Sequence, residues 1–122
     1  MAATAPSWHA TAMVRIGSIV LNVRDLDRAA AFWGRALGYT AQPGNPHFLR
    51  DDTGSGPRLH LDDGDRTHLD LWVDSAAEQA AEVQRLVALG ARRVEWTYPA
   101  DADFVVLADP DGNLFCVIDT GI

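Results

Sequence analysis

The chain contains an internal repeat, in which the order strand, helix, strand, strand, strand occurs twice. Ser18–Val23 in the first half aligns with His68–Val73 in the second, and Leu37-Gly38 aligns with Leu89-Gly90. Neither half can close its own sheet, so its strand edges would stay open. The repeat therefore predicts two related modules that associate edge to edge, within the chain or between chains.

Residue periodicity and capping residues place the elements of each module. Asp25 precedes an apolar helical pattern that ends at Gly38, and Ser75 with Glu78 has the form of a capping box. The predicted helices span 26–37 and 75–89, and the predicted strands span 16–23, 39–42, 47–51, 58–61, 68–73, 91–96, 104–108 and 114–119. This order predicts an α+β fold with two βαβββ modules that form a curved mixed sheet around a cleft.

The Ala/Thr/Pro/Ser-rich start of the chain lacks the basic and apolar stretches of a signal peptide. We expect a flexible tail over residues 1–12, in which Trp8 and His9 are unusual, and a single domain over 13–122. Module 1 is expected at about 14–64 and module 2 at about 65–120.

The charge balance excludes several classes of partner. Ten Lys and Arg against 17 Asp and Glu give a formal net charge of −7, which disfavours nucleic acid and anionic membranes as partners. No apolar run approaches the roughly 20 residues of a membrane span.

Cys116 is the only cysteine, so an intrachain disulfide is impossible. We expect a cytoplasmic protein.

Alternation along the strands sorts their side chains into two faces. In 68–73, Leu69, Leu71 and Val73 should pack under the helices, which leaves His68, Asp70 and Trp72 on the other face. The same rule collects a mixed polar, charged and aromatic set: Ser18, Asn22, Arg58, His60, His68, Asp70, Trp72 and Cys116. Such a mixture is typical of a small-molecule cleft, and the alternative is a solvated sheet face.

Several stretches, in order, resemble the vicinal oxygen chelate superfamily, which includes glyoxalases, bleomycin-resistance proteins and extradiol dioxygenases. They are Ile19–Asp25 (IVLNVRD), Ala31–Gly38 (AFWGRALG), Arg66–Asp74 (RTHLDLWVD), Leu86–Ala91 (LVALGA) and Leu107–Asn113 (LADPDGN). The resemblance covers Val14 to Ile118 and implies a small glyoxalase-like domain. It does not select one reaction, because this fold hosts many.

The resemblance also implies where a metal would sit. Metal enzymes of the superfamily use four symmetry-related strand positions, which here hold Ser18, His60, His68 and Cys116. Only His68 is a usual ligand at its usual place, since Ser18 replaces a histidine and Cys116 a glutamate. We therefore expect no cofactor. If a divalent metal is bound, His60, His68 and Cys116 are the candidate ligands, with Asp70 as a neighbouring partner or base.

Three functions follow as hypotheses. The first is a metal-independent protein that binds a small organic molecule, either as a binding protein or as a non-classical enzyme. Trp72 would stack on the ligand, and polar contacts would come from Asn22, Arg58, His68 and Asp70. His68 and Asp70 are the candidates for catalysis. The second is a metal-dependent lyase, isomerase or dioxygenase, and the third is an antibiotic-sequestering protein without catalysis. Open sheet edges further predict a homodimer.

Overall fold

The computed structural model describes residues 13–121, so the expected tail with Trp8 and His9 lies outside the described residues. The described part contains two helices and eight strands in the predicted order, which confirms the α+β class and the two βαβββ modules. In chain order the elements are β1 (Arg15–Asn22), α1 (Leu26–Leu37), β2 (Thr40–Gln42), β3 (Asn45–Arg50), β4 (Arg58–Asp62), β5 (His68–Val73), α2 (Ala76–Ala88), β6 (Arg92–Arg93), β7 (Phe104–Ala108) and β8 (Leu114–Asp119).

The chain divides into two compact units, and the division falls inside β5, between Asp70 and Leu71. The first unit is the continuous stretch 16–70. The second unit combines the described residues 13–15 with 71–121. No helix in the described part of the chain has the length and apolar character needed to cross a membrane.

In the first unit, β3 pairs antiparallel with both β2 and β4, and β4 pairs parallel with β1. One face of these strands carries the buried residues Leu49, Leu59 and Leu61. Partly buried apolar residues of β1 and α1 pack against them: Ile19, Leu21, Val23, Leu26, Ala29, Ala30, Trp33 and Tyr39. The helix therefore covers this face, and the opposite face of β1 and β4 carries the polar residues.

The ends of α1 lie where the sequence predicts them. The Asp25 carboxylate accepts a hydrogen bond from the Arg28 backbone N–H at 3.0 Å, which satisfies one unpaired donor of the first turn. Gly38 has a φ of 69°, the left-handed conformation that ends a helix at low cost only for glycine.

In the second unit, β7 pairs antiparallel with β6 and β8, and α2 packs on one face of them. The buried core here is Val73, Val83, Leu107 and Val117. The capping box is confirmed, because Ser75 Oγ accepts from the Glu78 N–H at 3.1 Å. The Glu78 carboxylate reaches one residue further back than usual and accepts from the Asp74 N–H at 2.9 Å.

A buried carboxylate fastens the start of the described chain to α2. Glu82 is only 5% exposed, and its Oε1 accepts a 2.7 Å hydrogen bond from the Val14 N–H. Arg85 donates to both carboxylate oxygens of Glu82, at 2.7 and 2.9 Å. An exposed ion pair of 2.8 Å between Arg15 and Asp74 adds a second connection.

Two sequence predictions about strands are wrong. The strand predicted over 91–96 is reduced to Arg92–Arg93, because the Tyr98 hydroxyl accepts the Val106 N–H at 2.8 Å and takes the donor that a longer β6 would need. Leu69, predicted to be core, is 39% exposed. The other two residues assigned to the same core face are Leu71, which is half-buried, and Val73, which is buried.

Candidate functional site

The candidate site lies in the first unit, on the face of β1 and β4 opposite α1. The parallel register places Ser18 beside Arg58, Val20 beside His60 and Asn22 beside Asp62. Alternation turns these side chains to the same side. Ser18 is fully buried, and its Oγ accepts a 2.8 Å hydrogen bond from Arg58 Nε. A buried hydroxyl thus fixes the orientation of the Arg58 guanidinium.

A phenyl ring supports the same guanidinium. Arg58 Cζ lies 4.2 Å from the centre of the Phe48 ring, within cation–π range. Burial lowers the pKa of Arg58, while the nearby Asp70 carboxylate raises it and Arg50 lowers it further. An arginine keeps its charge despite such a shift. The site therefore contains a fixed and partly desolvated cation.

His60 packs on the other part of the Phe48 ring. The two residues face each other in the β3–β4 register, and their ring centres are 4.1 Å apart. Its Nε2 lies 3.7 Å from the Asp62 carboxylate. Burial is the main cause that lowers the pKa of His60 from its ordinary value near 6.5, so this imidazole is neutral at pH 7.

His68 and Asp70 form a close pair on β5. His68 Nε2 lies 3.1 Å from Asp70 Oδ1, and His68 Nδ1 lies 2.7 Å from the Arg66 carbonyl oxygen. Since a carbonyl can only accept, Nδ1 is the donor in that contact, which leaves Nε2 facing the Asp70 carboxylate. Burial raises the pKa of Asp70, and the nearby His68, His60 and Arg58 oppose that rise. The pair can donate or accept a proton at one position.

Five of the eight residues chosen from the sequence come together in this way: Ser18, Arg58, His60, His68 and Asp70. We call these five residues the polar face. Asn22, also chosen, has another role. It is exposed, and its side-chain amide donates to the Asp65 carbonyl at 2.6 Å, which braces the turn between β4 and β5.

Trp72 and Cys116 belong to the second unit. Trp72 is half-buried on β5, and Cys116 is half-buried on β8, opposite Val106 of β7. Cys116 shares its side of the strand with Leu114 and Ile118, as predicted, whereas the α2-facing side carries Val117 and Phe115. Their part in ligand or metal binding stays a prediction.

Phe48 and Asp62 are residues of the site that the sequence analysis did not select. The signal for Phe48 was present, because alternation along 47–51 puts Phe48 and Arg50 on one side of the strand. What was lacking was the pairing register that sets Phe48 opposite His60. Asp62 follows from extending the alternation of Arg58 and His60 by two residues.

The polar face fits the implied metal ligand set poorly at its first position. Ser18 offers its hydroxyl to a guanidinium, so a permanent positive charge sits where the superfamily's metal enzymes place a ligand. Like charges repel strongly at short range in a partly desolvated site. His68 and Asp70 are the pair whose chemistry suits a divalent ion, and they present Nε2 and Oδ1 side by side.

Comparisons with known proteins agree with this architecture. The structure is similar to the NAD-dependent benzaldehyde dehydrogenase from Legionella pneumophila, with 16% identity, a TM-score of 0.61 and coverage of 84% of this chain and 96% of that one. It is similar to a glyoxalase/bleomycin resistance protein/dioxygenase superfamily member from Vibrio splendidus 12B01, with 18% identity, a TM-score of 0.53 and coverage of 88% and 99%. It is also similar to methylmalonyl-CoA epimerase from Mycobacterium tuberculosis, with 19% identity, a TM-score of 0.52 and coverage of 85% and 86%.

These likenesses show the fold alone, and no functionally curated protein matches the chain. The family is shown separately, because the model of the glyoxalase-like domain family matches residues 18–118, which is most of the sequence. The match spans both βαβββ modules and confirms the resemblance seen in the sequence. This chain belongs to the glyoxalase-like domain family.

Proposed function

We propose that this protein binds a small organic anion on the polar face and does so without a metal centre. The observation that carries the proposal is the Arg58 guanidinium, held by Ser18 Oγ and by the Phe48 ring. A cation whose orientation is fixed before binding loses little conformational entropy when it pairs with a carboxylate. Because the site is partly desolvated, its charge acts more strongly there than at an open surface.

The other members of the polar face complete the ligand environment. The His68 imidazole and the Asp70 carboxylate give polar contact positions, and the His60 and Phe48 rings give a largely apolar wall. The side chains of His68 and Asp70 are 11% and 13% exposed, so each keeps a small solvent-accessible surface. An oxygen-rich acid with a flat or short carbon skeleton suits this combination.

Binding of salicylate, which carries a carboxylate beside a hydroxyl, tests the proposal. We expect saturable changes in the imidazole NMR signals of His60 and His68. Arg58→Gln should weaken binding about tenfold or more, because it removes a charge-assisted contact. Ser18→Ala should weaken it less, through lost orientation of Arg58. The control is Arg28→Gln, which removes an exposed charge on α1. Equal affinity of the Arg58 and Arg28 variants would contradict the proposal.

Metal-dependent lyase, isomerase or dioxygenase chemistry is the second candidate, and the adjacent His68 Nε2 and Asp70 Oδ1 are the observation that favours it. Sequestration without turnover is the version of the main proposal in which the bound ligand stays unchanged, and the other version is one in which the protein transforms it. Product analysis of the bound ligand separates those two. The homodimer also stays a prediction.

Elemental analysis decides between the first two candidates. We expect the purified protein to contain no stoichiometric transition metal, because Ser18, at the first ligand position, is hydrogen-bonded to the Arg58 guanidinium. About one zinc, nickel, manganese or iron per chain would contradict this expectation if His68→Ala released the metal. His47→Ala is the matched control, since His47 lies at the start of β3 and pairs with Asp27 instead.

A further inference from the structure

The connection between β6 and β7 is much longer than its counterpart in the first module. β2 ends at Gln42 and β3 begins at Asn45, so two residues suffice for that turn. β6 ends at Arg93 and β7 begins at Phe104, which leaves ten residues, 94–103. Because the first module closes the same pair of strands without them, the extra residues are not needed to complete the fold. Long ordered connections on a rigid scaffold commonly carry function.

Two side chains anchor this connection, and a hydrogen bond within it closes a turn. The Tyr98 hydroxyl accepts the Val106 N–H at 2.8 Å, and the Tyr98 and Phe104 rings lie 5.4 Å apart. The Ala102 N–H donates to the Pro99 carbonyl at 3.1 Å. Gln79 of α2 donates from Nε2 to the Asp103 carbonyl at 2.9 Å. Tyr98 and Gln79 therefore fix the connection to β7 and to α2.

The anchored connection borders an open cavity of about 430 Å³ beside α2 and β7. That volume falls within the roughly 300–1,000 Å³ of ligand pockets in proteins. Tyr98, Phe104 and Val106 supply apolar walls. Arg93 is the only charged residue among the described residues that line it, and it is positive in a chain whose net charge is −7.

Two polar groups of the lining are oriented before any ligand binds. Gln79 Nε2 donates both of its hydrogens, to the carbonyls of Asp103 and Val117, each at 2.9 Å, so Oε1 is left as the acceptor of that amide. The Tyr98 hydroxyl accepts from Val106 and keeps its own hydrogen for donation. The cavity therefore combines one cation, one donor, one acceptor and two aromatic rings.

We propose that this cavity, which we call the loop pocket, is a second binding site for a small aromatic or heteroaromatic carboxylate. The carboxylate pairs with Arg93 and the ring lies against Tyr98 and Phe104. All of its residues belong to the second unit, and none belongs to the polar face. The proposal therefore does not depend on the function proposed for that face.

Titration of the protein with benzoate, followed by backbone amide NMR, tests the loop pocket. We expect saturable shifts at Val94, Ala100, Ala102, Val105 and Val106. Arg93→Gln should weaken benzoate binding about three- to tenfold, and the uncharged benzamide should bind the native protein more weakly by a similar factor. The matched control is Arg92→Gln, since Arg92 is an equally exposed arginine on the same strand and does not line the cavity.

Four outcomes would overturn the proposal. The first is the absence of saturable shifts at those amides, and the second is benzamide binding as well as benzoate does. The third is an equal loss from the Arg92 and Arg93 variants, which would mean a diffuse charge effect. Shifts confined to His60 and His68 would also overturn it, while supporting the polar face.

Discussion

Leu61→Ala should lower the free energy of unfolding by about 2–5 kcal/mol, as truncation of a fully buried leucine does. Leu61 is 2% exposed and lies at the centre of the first unit's core with Leu49 and Leu59. Removal of three carbons there leaves a cavity, because strands on one side and α1 on the other limit how far the neighbours can relax. Denaturation by urea, monitored by tryptophan fluorescence, measures the change.

Leu69→Ala is the matched control for this substitution. It is the same change on another strand residue of the same unit, but Leu69 is 39% exposed. We expect a loss of less than about 1 kcal/mol, since most of the removed surface already contacts solvent. Equal losses for the two variants would mean that the core of the first unit is assigned to the wrong residues.

Glu82→Gln should destabilise the protein by about 2–3 kcal/mol, because it removes one partner of a buried charged network. The amide oxygen can still accept from the Val14 N–H, but the amide nitrogen would face the donors of Arg85. Arg85 is partly exposed and can be hydrated by water, which keeps the loss below that of a fully buried ion pair. Glu95→Gln, the same change at an exposed position, should be nearly neutral.

The contribution of Glu82 should also depend on pH. Hydrogen bonds from Arg85 and from the Val14 N–H lower the pKa of Glu82 below its ordinary value of 4.5. A carboxylate with a lower pKa in the folded state stabilises the fold above its unfolded pKa and loses that contribution as pH falls through its folded pKa. The stability gap between native protein and Glu82→Gln should thus be full at pH 7 and shrink below about pH 4.5. A gap independent of pH would show that charge is not its cause.

Local sequence signals sufficed to predict α1, whereas the extent of β6 depends on contacts between residues outside the strand. Asp25 and Gly38 fix the ends of α1 through contacts within a few residues, so the sequence alone places that helix correctly. The end of β6 depends instead on Tyr98, which lies outside the strand and accepts a hydrogen bond from the Val106 N–H. The apolar pattern of 91–96 does not reveal that the Tyr98 hydroxyl, outside the strand, will accept the hydrogen bond of the Val106 N–H.

The candidate site, too, was predictable from local pattern in part and depended on long-range pairing for the rest. Alternation placed Ser18, Arg58, His60, His68 and Asp70 on one face without any knowledge of the fold. It could not show that Ser18 accepts a hydrogen bond from Arg58, since that contact depends on the parallel register of β1 and β4. It also assigned Leu69 to the core from period alone, although the first residues of a strand are often exposed whichever face they share.

The order in which the chain is synthesised gives the buried Glu82 a further consequence. Residues 16–70 contain every segment of the first unit, so all of its segments are available once Asp70 has left the ribosome. The second unit cannot be completed then, because Val14 is bound by a carboxylate 68 residues later in the sequence. At a translation rate of about 5–20 residues per second, Val14 waits roughly 3–14 s for that partner. A chain stalled before α2 would therefore carry every segment of the first unit, together with a leading segment whose partners do not yet exist.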